Sequence, residues 1–266
     1  MTKKVKEKGV KEMLQEEFGL NGKRAIITGG ASGIGFAMAK CMTKAGAEVI
    51  LIGRGKGSSL DDAVEKLGEK ASYYKFDISQ MEEIPKLVEK IIKEKGPIDI
   101  LVNNAGNHCK KPIEEMSLKE FTDVLDLHVT ASFALSKAII PHMKERKEGN
   151  ILFISSMTGF IGQPYVAGYS AAKSSVLGLV RTLASEVSSE GIRINAIAPG
   201  WIETPMLHKA VDNDPPRKAK ILGRTPMNKF GKPEDIGWAA VYLCSNAASF
   251  VNGISLVVDG GALIGF

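Results

Sequence analysis

The stretch Lys23-Arg-Ala-Ile-Ile-Thr28 runs directly into Gly29-Gly-Ala-Ser-Gly-Ile-Gly35, and a helical pattern follows to about Ala45. The apolar run predicts a short buried strand. Glycines after it permit a tight turn and a close approach of the backbone, so the N–H groups at the start of a helix can hold a pyrophosphate. The spacing Gly-x-x-x-Gly-x-Gly differs from the commonest dinucleotide motif, Gly-x-Gly-x-x-Gly. A plain strand-to-helix turn would not need three glycines, so we predict a dinucleotide site here.

Strands and helices alternate along the rest of the chain. Further strands are predicted at 48–52, 72–76, 98–102, 151–154, 193–197 and 254–258, and helices at about 60–67, 81–95, 118–140, 169–189 and 233–245. Such alternation is typical of a parallel sheet with right-handed crossovers. The sequence therefore predicts an α/β protein with a doubly wound Rossmann fold, in which seven parallel strands carry helices on both faces.

No shift in composition, repeat or linker divides the 266 residues. We predict a single domain over 20–266 that follows a basic extension over 1–19. Glutamates balance the charge of the lysines in this extension, and no aromatic residues are interleaved with these lysines. This composition favours a solvated segment over a nucleic-acid contact. The Pro-rich segment 201–231 has mixed charge and no assigned element, and insertions of that length usually cover a site.

The bulk composition excludes several classes of protein. No apolar run reaches the ~18 residues of a membrane span, and no signal-peptide core follows the first lysines. We therefore expect a cytoplasmic protein with no membrane or nucleic-acid partner, despite the net charge of +5. The cysteines and histidines lack the spacing of metal ligands, so no metal is expected: Cys41, Cys109, Cys244, His108, His128, His142 and His208.

A tyrosine and a lysine lie four residues apart in the helix predicted from residue 169. Tyr169 and Lys173 would share one helix face, so their polar ends can meet. A nearby cation brings the pKa of a phenol down from its usual ~10, and such a tyrosine can serve as a general acid or base. Ser156 follows the strand 151–154, and open α/β sheets bind ligands at strand ends. Alone, the pair is weak evidence, because many solvated helices contain one by chance.

Five motifs occur in a fixed order: the glycine turn, Asn103-Asn-Ala-Gly106, Ser156, Tyr169 with Lys173, and Pro199-Gly200. From about Leu20 to its end, the chain resembles the short-chain dehydrogenase/reductase family. The resemblance implies the strand order 3-2-1-4-5-6-7 and an NAD(P)-dependent oxidoreductase. It also implies that Tyr169 exchanges a proton with the substrate oxygen, that Ser156 hydrogen-bonds this oxygen, and that Lys173 holds the nicotinamide ribose and lowers the tyrosine pKa.

The same resemblance implies the residues that bind the cofactor. Asp77 would meet the adenine edge, and Thr204 the carboxamide. The full implied set is Gly29, Ser32, Gly33, Ile34, Gly35, Arg54, Asp77, Ile78, Asn103, Asn104, Ala105, Gly106, Tyr169, Lys173, Pro199, Gly200, Ile202 and Thr204.

His128 departs from the family pattern. The stretch Leu127-His-Val-Thr-Ala-Ser-Phe133 matches a segment that carries an asparagine at this position, where it anchors a water that leads from the lysine to solvent. A ring nitrogen can also bind water, so the proton path can survive with a pH dependence of its own, which makes His128 a catalytic candidate. The alternative is a helix residue packed in a subunit interface.

The end of the second predicted strand bears on cofactor choice. Enzymes that use NAD normally place an acid there, but Gly53 holds this position and Arg54 follows it. A guanidinium suits the 2′-phosphate of NADP, whereas Ser32 weakens the case because many NADP-dependent enzymes carry a base there. We expect NADP, with NAD as a possible cofactor; the alternative is an exposed loop arginine.

For the substrate, the chain resembles family members of the gluconate 5-dehydrogenase and 2-deoxygluconate 3-dehydrogenase type. In them an arginine after the Asn-Asn-Ala-Gly motif faces the substrate carboxylate, and Lys110 stands in its place here. We expect a sugar acid or polyol bound by Lys110, with His108 and Trp201 as further contacts. A 3-oxoacyl thioester on an acidic carrier is the alternative substrate, attracted by Lys110, Lys209, Arg217, Lys218 and Arg224.

Two further expectations concern the protein as a whole. A catalytically silent dinucleotide-binding protein, acting as a redox sensor or scaffold, is the alternative from another functional class, but the intact Ser156, Tyr169 and Lys173 favour an enzyme. The helices 118–140 and 169–189 match those that family members bury between subunits, and the end of the chain, Ala262-Leu-Ile-Gly-Phe266, is too apolar for a free tail. We expect a homotetramer.

Overall fold

The computed structural model describes residues 3–55 and 59–265, with only the backbone for residues 3–8, 11 and 210. Its strands form one parallel sheet of seven strands in the order β3-β2-β1-β4-β5-β6-β7, which confirms the predicted fold class. The strands are β1 (Arg24–Thr28), β2 (Glu48–Gly53), β3 (Ala71–Lys75), β4 (Ile100–Asn103), β5 (Gly149–Ile154), β6 (Ile192–Pro199) and β7 (Ser255–Val258).

Helices cover both faces of the sheet. The helices are α1 (Lys3–Phe18), α2 (Gly33–Lys44), α3 (Ser59–Leu67), α4 (Ile84–Lys95), α5 (Leu118–Leu125), α6 (Ala131–Arg146), α7 (Ala167–Val187), α8 (Pro205–Val211), α9 (Pro215–Arg224) and α10 (Pro233–Cys244). One apolar core lies between the sheet and α2, α3 and α10, and a second lies between the sheet and α4, α6 and α7. Side chains alternate between the cores along β1, since Ala25 and Ile27 join the first and Ile26 the second.

The strand order reverses at β1, which pairs with β2 on one side and β4 on the other. Open α/β sheets place their ligand crevice beyond the carboxyl ends of the strands at such a point. Thr28 ties these ends together, because its Oγ1 accepts hydrogen bonds from the backbone N–H groups of Asn104 and Ala105 at 3.0 Å each.

The helix predicted over 118–140 is longer than expected. A capping box between Ser117 and Glu120 starts α5, a π-helical turn (Asp126–Thr130) joins it to α6, and α6 continues past Pro141 to Arg146. The run Leu118–Arg146 has the length of a membrane-spanning helix, and an 18-residue window within it has the mean hydropathy of one, 1.2. Its side chains Leu135, Ile139 and Met143 are buried in the second core, as expected of a core helix in an α/β domain.

Two segments without an assigned element in the sequence contain helices. The extension 1–19 includes α1, and the segment 201–231 includes α8 and α9. The side chains of Thr204 and Asp214 cap α8 and α9, respectively, and a proline begins each of these two helices. Leu207, Val211 and Ile221 form a small apolar cluster with partly buried Trp201 and Phe230. We refer to residues 201–231 as the cover segment.

Candidate active site

The structure brings Ser156, Tyr169 and Lys173 together at the carboxyl end of β5. Ser156 follows the strand, and the other two lie in the first two turns of α7. A hydrogen bond joins the side chains of Ser156 and Tyr169. The Lys173 Nζ lies 5.4 Å from the centre of the tyrosine ring and donates to the backbone oxygen of Ile154 at 2.6 Å. A hydroxyl, a phenol and an amine thus share one small site.

Short contacts hold α7 against the end of β5. Buried Ser155 donates to the backbone oxygen of Lys173 at 2.9 Å, and Ser174 donates to the oxygen of Gly159 at 3.2 Å. A Cβ at Gly159 would lie 2.9 Å from the Lys173 oxygen, so only glycine allows this approach. These contacts fix the position of the lysine backbone relative to the strand.

The expected lowering of the Tyr169 pKa by Lys173 is wrong for this structure. Burial raises the pKa of Tyr169 above its usual value, although the hydrogen bond from Ser156 opposes the shift. Burial also lowers the pKa of Lys173 to about 7, because an ammonium ion loses hydration there. The amine is therefore only partly charged near neutral pH, and its hydrogen bond goes to a carbonyl rather than to the phenol.

His128 lies beside the three residues, in the π-helical turn. It is 5% exposed, its Nε2 lies 3.1 Å from the backbone nitrogen and 2.8 Å from the backbone oxygen of Asn107, and its Nδ1 has no partner within the described residues. Burial, followed by the charge of Lys173, lowers its pKa to about 3. The ring stays neutral near pH ~7, so it has no pH dependence of its own there. In the single chain it faces the crevice rather than an outer surface.

The glycine turn and the loop after β4 line a crevice of about 460 Å³ that ends at His128, Tyr169 and Lys173. Gly29 and Gly33 have φ values of +65° and +54°, which favour glycine. A Cβ at Gly35 would lie 2.3 Å from the Gly29 oxygen. The predicted residues that line the crevice are Gly29, Ser32, Gly33, Ile34, Gly35, Asn104, Ala105, Gly106, Tyr169, Lys173 and Thr204. Its shape and open helix start fit a dinucleotide.

Other predicted cofactor residues lie elsewhere. Ile78 and Asn103 are buried, Ile78 in the second core and Asn103 with its amide donating to Ser136 at 3.1 Å, so neither side chain reaches the crevice. The Asp77 carboxylate accepts hydrogen bonds from the backbone and side chain of Ser79. Arg54 is exposed just after β2. Pro199, Gly200 and Ile202 line the neighbouring cavity instead.

A second cavity, of about 550 Å³, opens from Ser156 and Tyr169 toward the cover segment. It is lined by all three residues predicted for the substrate, namely Lys110, His108 and Trp201. The His108 ring lies 5.0 Å from the Tyr169 ring, centre to centre. Lys110 is exposed with its Nζ 5.9 Å from the centre of the Tyr165 ring, whereas neighbouring Lys111 is ion-paired to Glu120. Of these two lysines, only Lys110 lines the cavity.

Sequence reasoning missed several residues of this cavity. Gln163, Met206, Lys209 and Arg217 also line it. The last two were considered only as surface charges for an acidic carrier, and Lys218 and Arg224 do not line the cavity. The signal that could have found Lys209 and Arg217 is helix capping, because Thr204-Pro205 and Asp214-Pro215 each mark a helix start within the cover segment.

Comparison with known proteins agrees with this geometry. A family model described as enoyl-(acyl carrier protein) reductase matches residues 29–262. The chain is 39% identical over 249 residues to 2-dehydro-3-deoxy-D-gluconate 5-dehydrogenase of Formosa agariphila, covering 92% of this chain and 94% of that protein. It is 36% identical over 249 residues to a 3-oxoacyl-[acyl-carrier-protein] reductase of Thermotoga maritima, covering 92% and 99%.

A solved structure also resembles this chain in its backbone. The crystal structure of a gluconate 5-dehydrogenase from Burkholderia cenocepacia, in complex with NADP and tartrate, has a TM-score of 0.89 and 31% identity, covering 95% of this chain and 99% of that one. With the motifs at the strand ends and the convergence of Ser156, Tyr169 and Lys173, these similarities show that the chain belongs to the short-chain dehydrogenase/reductase family of NAD(P)-dependent oxidoreductases.

Proposed function

We propose that this protein interconverts a secondary alcohol and a ketone on a sugar acid, with NADP(H) as its preferred cofactor. The observation that carries the proposal is that one cavity joins Ser156 and Tyr169 to Lys110. The first two supply hydroxyl groups at the reacting oxygen, and the third supplies a cation for a carboxylate. The sugar-acid dehydrogenase of F. agariphila, at 39% identity, supports the same substrate class.

Each catalytic residue would have a distinct role. Tyr169 exchanges the proton with the substrate oxygen, and Ser156 donates a hydrogen bond to this oxygen; donors aimed at developing charge contribute roughly 3 kcal/mol each. Lys173 holds the ribose next to the tyrosine, and His128 offers Nδ1 to a water on the proton path. When bound, the nicotinamide supplies or accepts the hydride.

The preference for NADP depends on Arg54. This side chain is exposed at the end of β2, the position from which the family distinguishes a ribose hydroxyl from a 2′-phosphate. Gly53 before it leaves no carboxylate to repel the phosphate. The B. cenocepacia structure contains NADP, which supports the choice.

Two further proposals concern the assembly of the chain and its location in the cell. We expect a homotetramer, because large apolar side chains such as Phe250 and Ile264 are exposed in the single chain. Light scattering that returned the mass of one chain would reject it. A cytoplasmic location stays a prediction, supported by the free thiols of Cys41, Cys109 and Cys244.

The proposed function is tested by a substrate screen followed by spectrophotometry. Wild type, Lys110→Ala and, as matched control, Lys111→Ala are assayed with NADP and NAD on gluconate, 2-deoxygluconate, their keto forms, simple polyols and acetoacetyl thioesters. We expect the highest kcat/KM on a sugar acid and a loss of about tenfold or more in Lys110→Ala but not in Lys111→Ala. Thioester turnover far above every sugar acid, unaffected by Lys110→Ala, would favour the acyl-carrier alternative. If none of these compounds is turned over, the result would favour the alternative that the chain is a catalytically silent dinucleotide-binding protein.

A further inference from the structure

The cover segment forms a wall of the substrate cavity but has little share in the core of the domain. Met206, Leu207 and Lys209 of α8 line this cavity. Leu207 packs with Val211 and Ile221 in a small cluster of their own. Among the residues that the structure describes, no side chain of α8 or α9 joins either main core. The position of these two helices over the cavity therefore depends on the contacts before α8 and after α9.

The two ends of the cover segment are joined to each other. The backbone N–H of Gly231 donates to the oxygen of Trp201 at 2.9 Å, and the N–H of Glu203 donates to the oxygen of Gly231 at 2.8 Å. This bridge fixes the chain before α8. The other side of the helix pair, where α9 ends at Arg224, must be fixed by other contacts.

A turn after β7 supplies these contacts, and we refer to its residues, 259–265, as the β7 turn. The Nε of Arg224 donates to the backbone oxygen of Ala262 at 3.2 Å. The backbone N–H of Met227 donates to the oxygen of Gly260 at 3.1 Å. The β7 turn thus forms hydrogen bonds with the chain directly after α9.

Glycines bring the β7 turn into direct contact with the end of α9. A Cβ at Gly265 would lie 2.0 Å from the backbone oxygen of Arg224. Gly261 has a φ of +88°, and a Cβ there would lie 3.0 Å from the Cγ of Pro226. A side chain at either glycine would push the end of α9 away from the turn.

The carboxylate of Asp259 holds the β7 turn in its shape. Its Oδ1 accepts a hydrogen bond from the N–H of Gly261 at 2.8 Å, and its Oδ2 accepts one from the N–H of Leu263 at 2.6 Å. Hydrogen bonds to an ionised group are stronger than those between neutral groups. Asp259 also packs against Gly200, which lines the substrate cavity, because a Cβ at Gly200 would lie 2.6 Å from the Cβ of Asp259.

We propose, on the basis of the sugar-acid function above, that Asp259 is a positioning residue for substrate binding. Its carboxylate keeps the β7 turn in the shape that holds the end of α9, and the turn keeps the cover segment over the substrate cavity. Asp259 does not line the cavity, so it acts through the cover segment. Loss of the carboxylate weakens substrate binding and has little effect on the chemical step.

Two measurements on the whole chain test this proposal. Hydrogen–deuterium exchange without substrate reports how often the amides of α8 and α9 open, and steady-state kinetics on a sugar acid separate KM from kcat. The variants are Asp259→Ala and Gly265→Ala, which disturb the same contact from opposite ends of the turn. If Asp259→Ala did not fold, Gly265→Ala would carry both measurements. The matched control is Gly149→Ala at the start of β5, where a Cβ would lie 2.4 Å from the Sδ of buried Met143. Thermal melting compares the stability of the variants.

In Asp259→Ala and Gly265→Ala, we expect the amides of α8 and α9 to exchange about tenfold faster or more. The KM for the sugar acid should rise about tenfold, whereas kcat and the Kd for NADPH should stay within about threefold of wild type. Gly149→Ala should keep the wild-type KM and the wild-type exchange over α8 and α9.

Wild-type exchange in both variants, an unchanged KM despite faster exchange, or the same rise in KM for Gly149→Ala would overturn the proposal. If wild type turned over no sugar acid, the proposed reaction would be refuted. The exchange rates alone would then decide whether Asp259 holds the cover segment in place.

Discussion

The imidazole ring of His128 stands edge-on to the phenol ring of Tyr169, with 5.4 Å between the ring centres and 85° between their planes. The ring fits there because residue 106 is a glycine: a Cβ at Gly106 would lie 2.1 Å from the Cε1 of His128. The backbone of Asn107 then holds Nε2, which can accept from the N–H group or donate to the oxygen. Both neutral tautomers are therefore compatible with the same ring position.

Gly106→Ala should lower the free energy of unfolding by about 1–3 kcal/mol, because the new methyl group overlaps a buried ring. In a His128→Ala background the same change should cost much less, since the overlapping ring is gone. Urea denaturation of the four proteins in this double-mutant cycle measures the coupling. Gly162→Ala is the control, since a Cβ there meets nothing within 4 Å. Equal costs in both backgrounds would show that the contact is not the cause.

His128→Asn should keep kcat within about tenfold, and His128→Leu should lower it by about a hundredfold, if the ring anchors a water on the proton path. Since the pKa of His128 is about 3, neither change should move the pH–rate profile above pH ~5. Stopped-flow measurement of turnover across pH tests both statements. Full activity of His128→Leu would reduce the role of the ring to packing.

The buried amine of Lys173 should make stability rise with pH. Burial lowers its pKa from 10.5 in the unfolded chain to about 7, so between these values the unfolded state binds more protons than the folded state. The penalty of the buried charge is fully present below the folded pKa and is relieved as pH rises. Between pH ~6.5 and pH ~9, wild type should gain about 2–3 kcal/mol relative to Lys173→Met in urea denaturation. If the stability of wild type relative to Lys173→Met stayed constant or fell as the pH rises, the lowered pKa of Lys173 would be contradicted.

The sequence predicted the sheet and the three converging residues because both depend on local patterns. Apolar runs and glycine turns mark each strand and its end, and strand ends meet at one edge of a parallel sheet. Tyr169 and Lys173 were linked by helical spacing alone. The prediction of a lowered tyrosine pKa was wrong, because helical spacing indicates that two side chains are close but not how deeply they are buried. Burial has the largest effect on the pKa of Tyr169.

The π-helical turn and the surroundings of His128 were beyond sequence reasoning for a related reason. The ring of His128 lies in a π-helical turn, and nothing in Asp126-Leu-His-Val-Thr130 marks such a turn. The sequence marked Lys209 and Arg217 only as charges that attract an acidic carrier, because they line the cavity only after α8 and α9 have packed through Leu207, Val211 and Ile221.

Arg54→Ala should lower kcat/KM for NADP by about ten- to a hundredfold and leave that for NAD nearly unchanged, because only the former cofactor has a 2′-phosphate to pair with a guanidinium. Lys66→Ala, an exposed basic residue in α3, serves as the control for a general loss of positive charge. Steady-state kinetics with both cofactors at a fixed sugar acid give the two ratios. A wild-type preference for NAD would refute the assignment.

The central claim is that this chain is an oxidoreductase that transfers its proton through Tyr169, and the most direct test pairs turnover with cofactor binding in wild type and Tyr169→Phe. Wild type should reduce NADP in the presence of a sugar acid. The variant should lose about a thousandfold or more in kcat, as expected for a general acid–base group, while its Kd for NADPH stays within about threefold. A variant that keeps wild-type turnover, or a wild type that binds NADPH and oxidises no alcohol, would contradict the account.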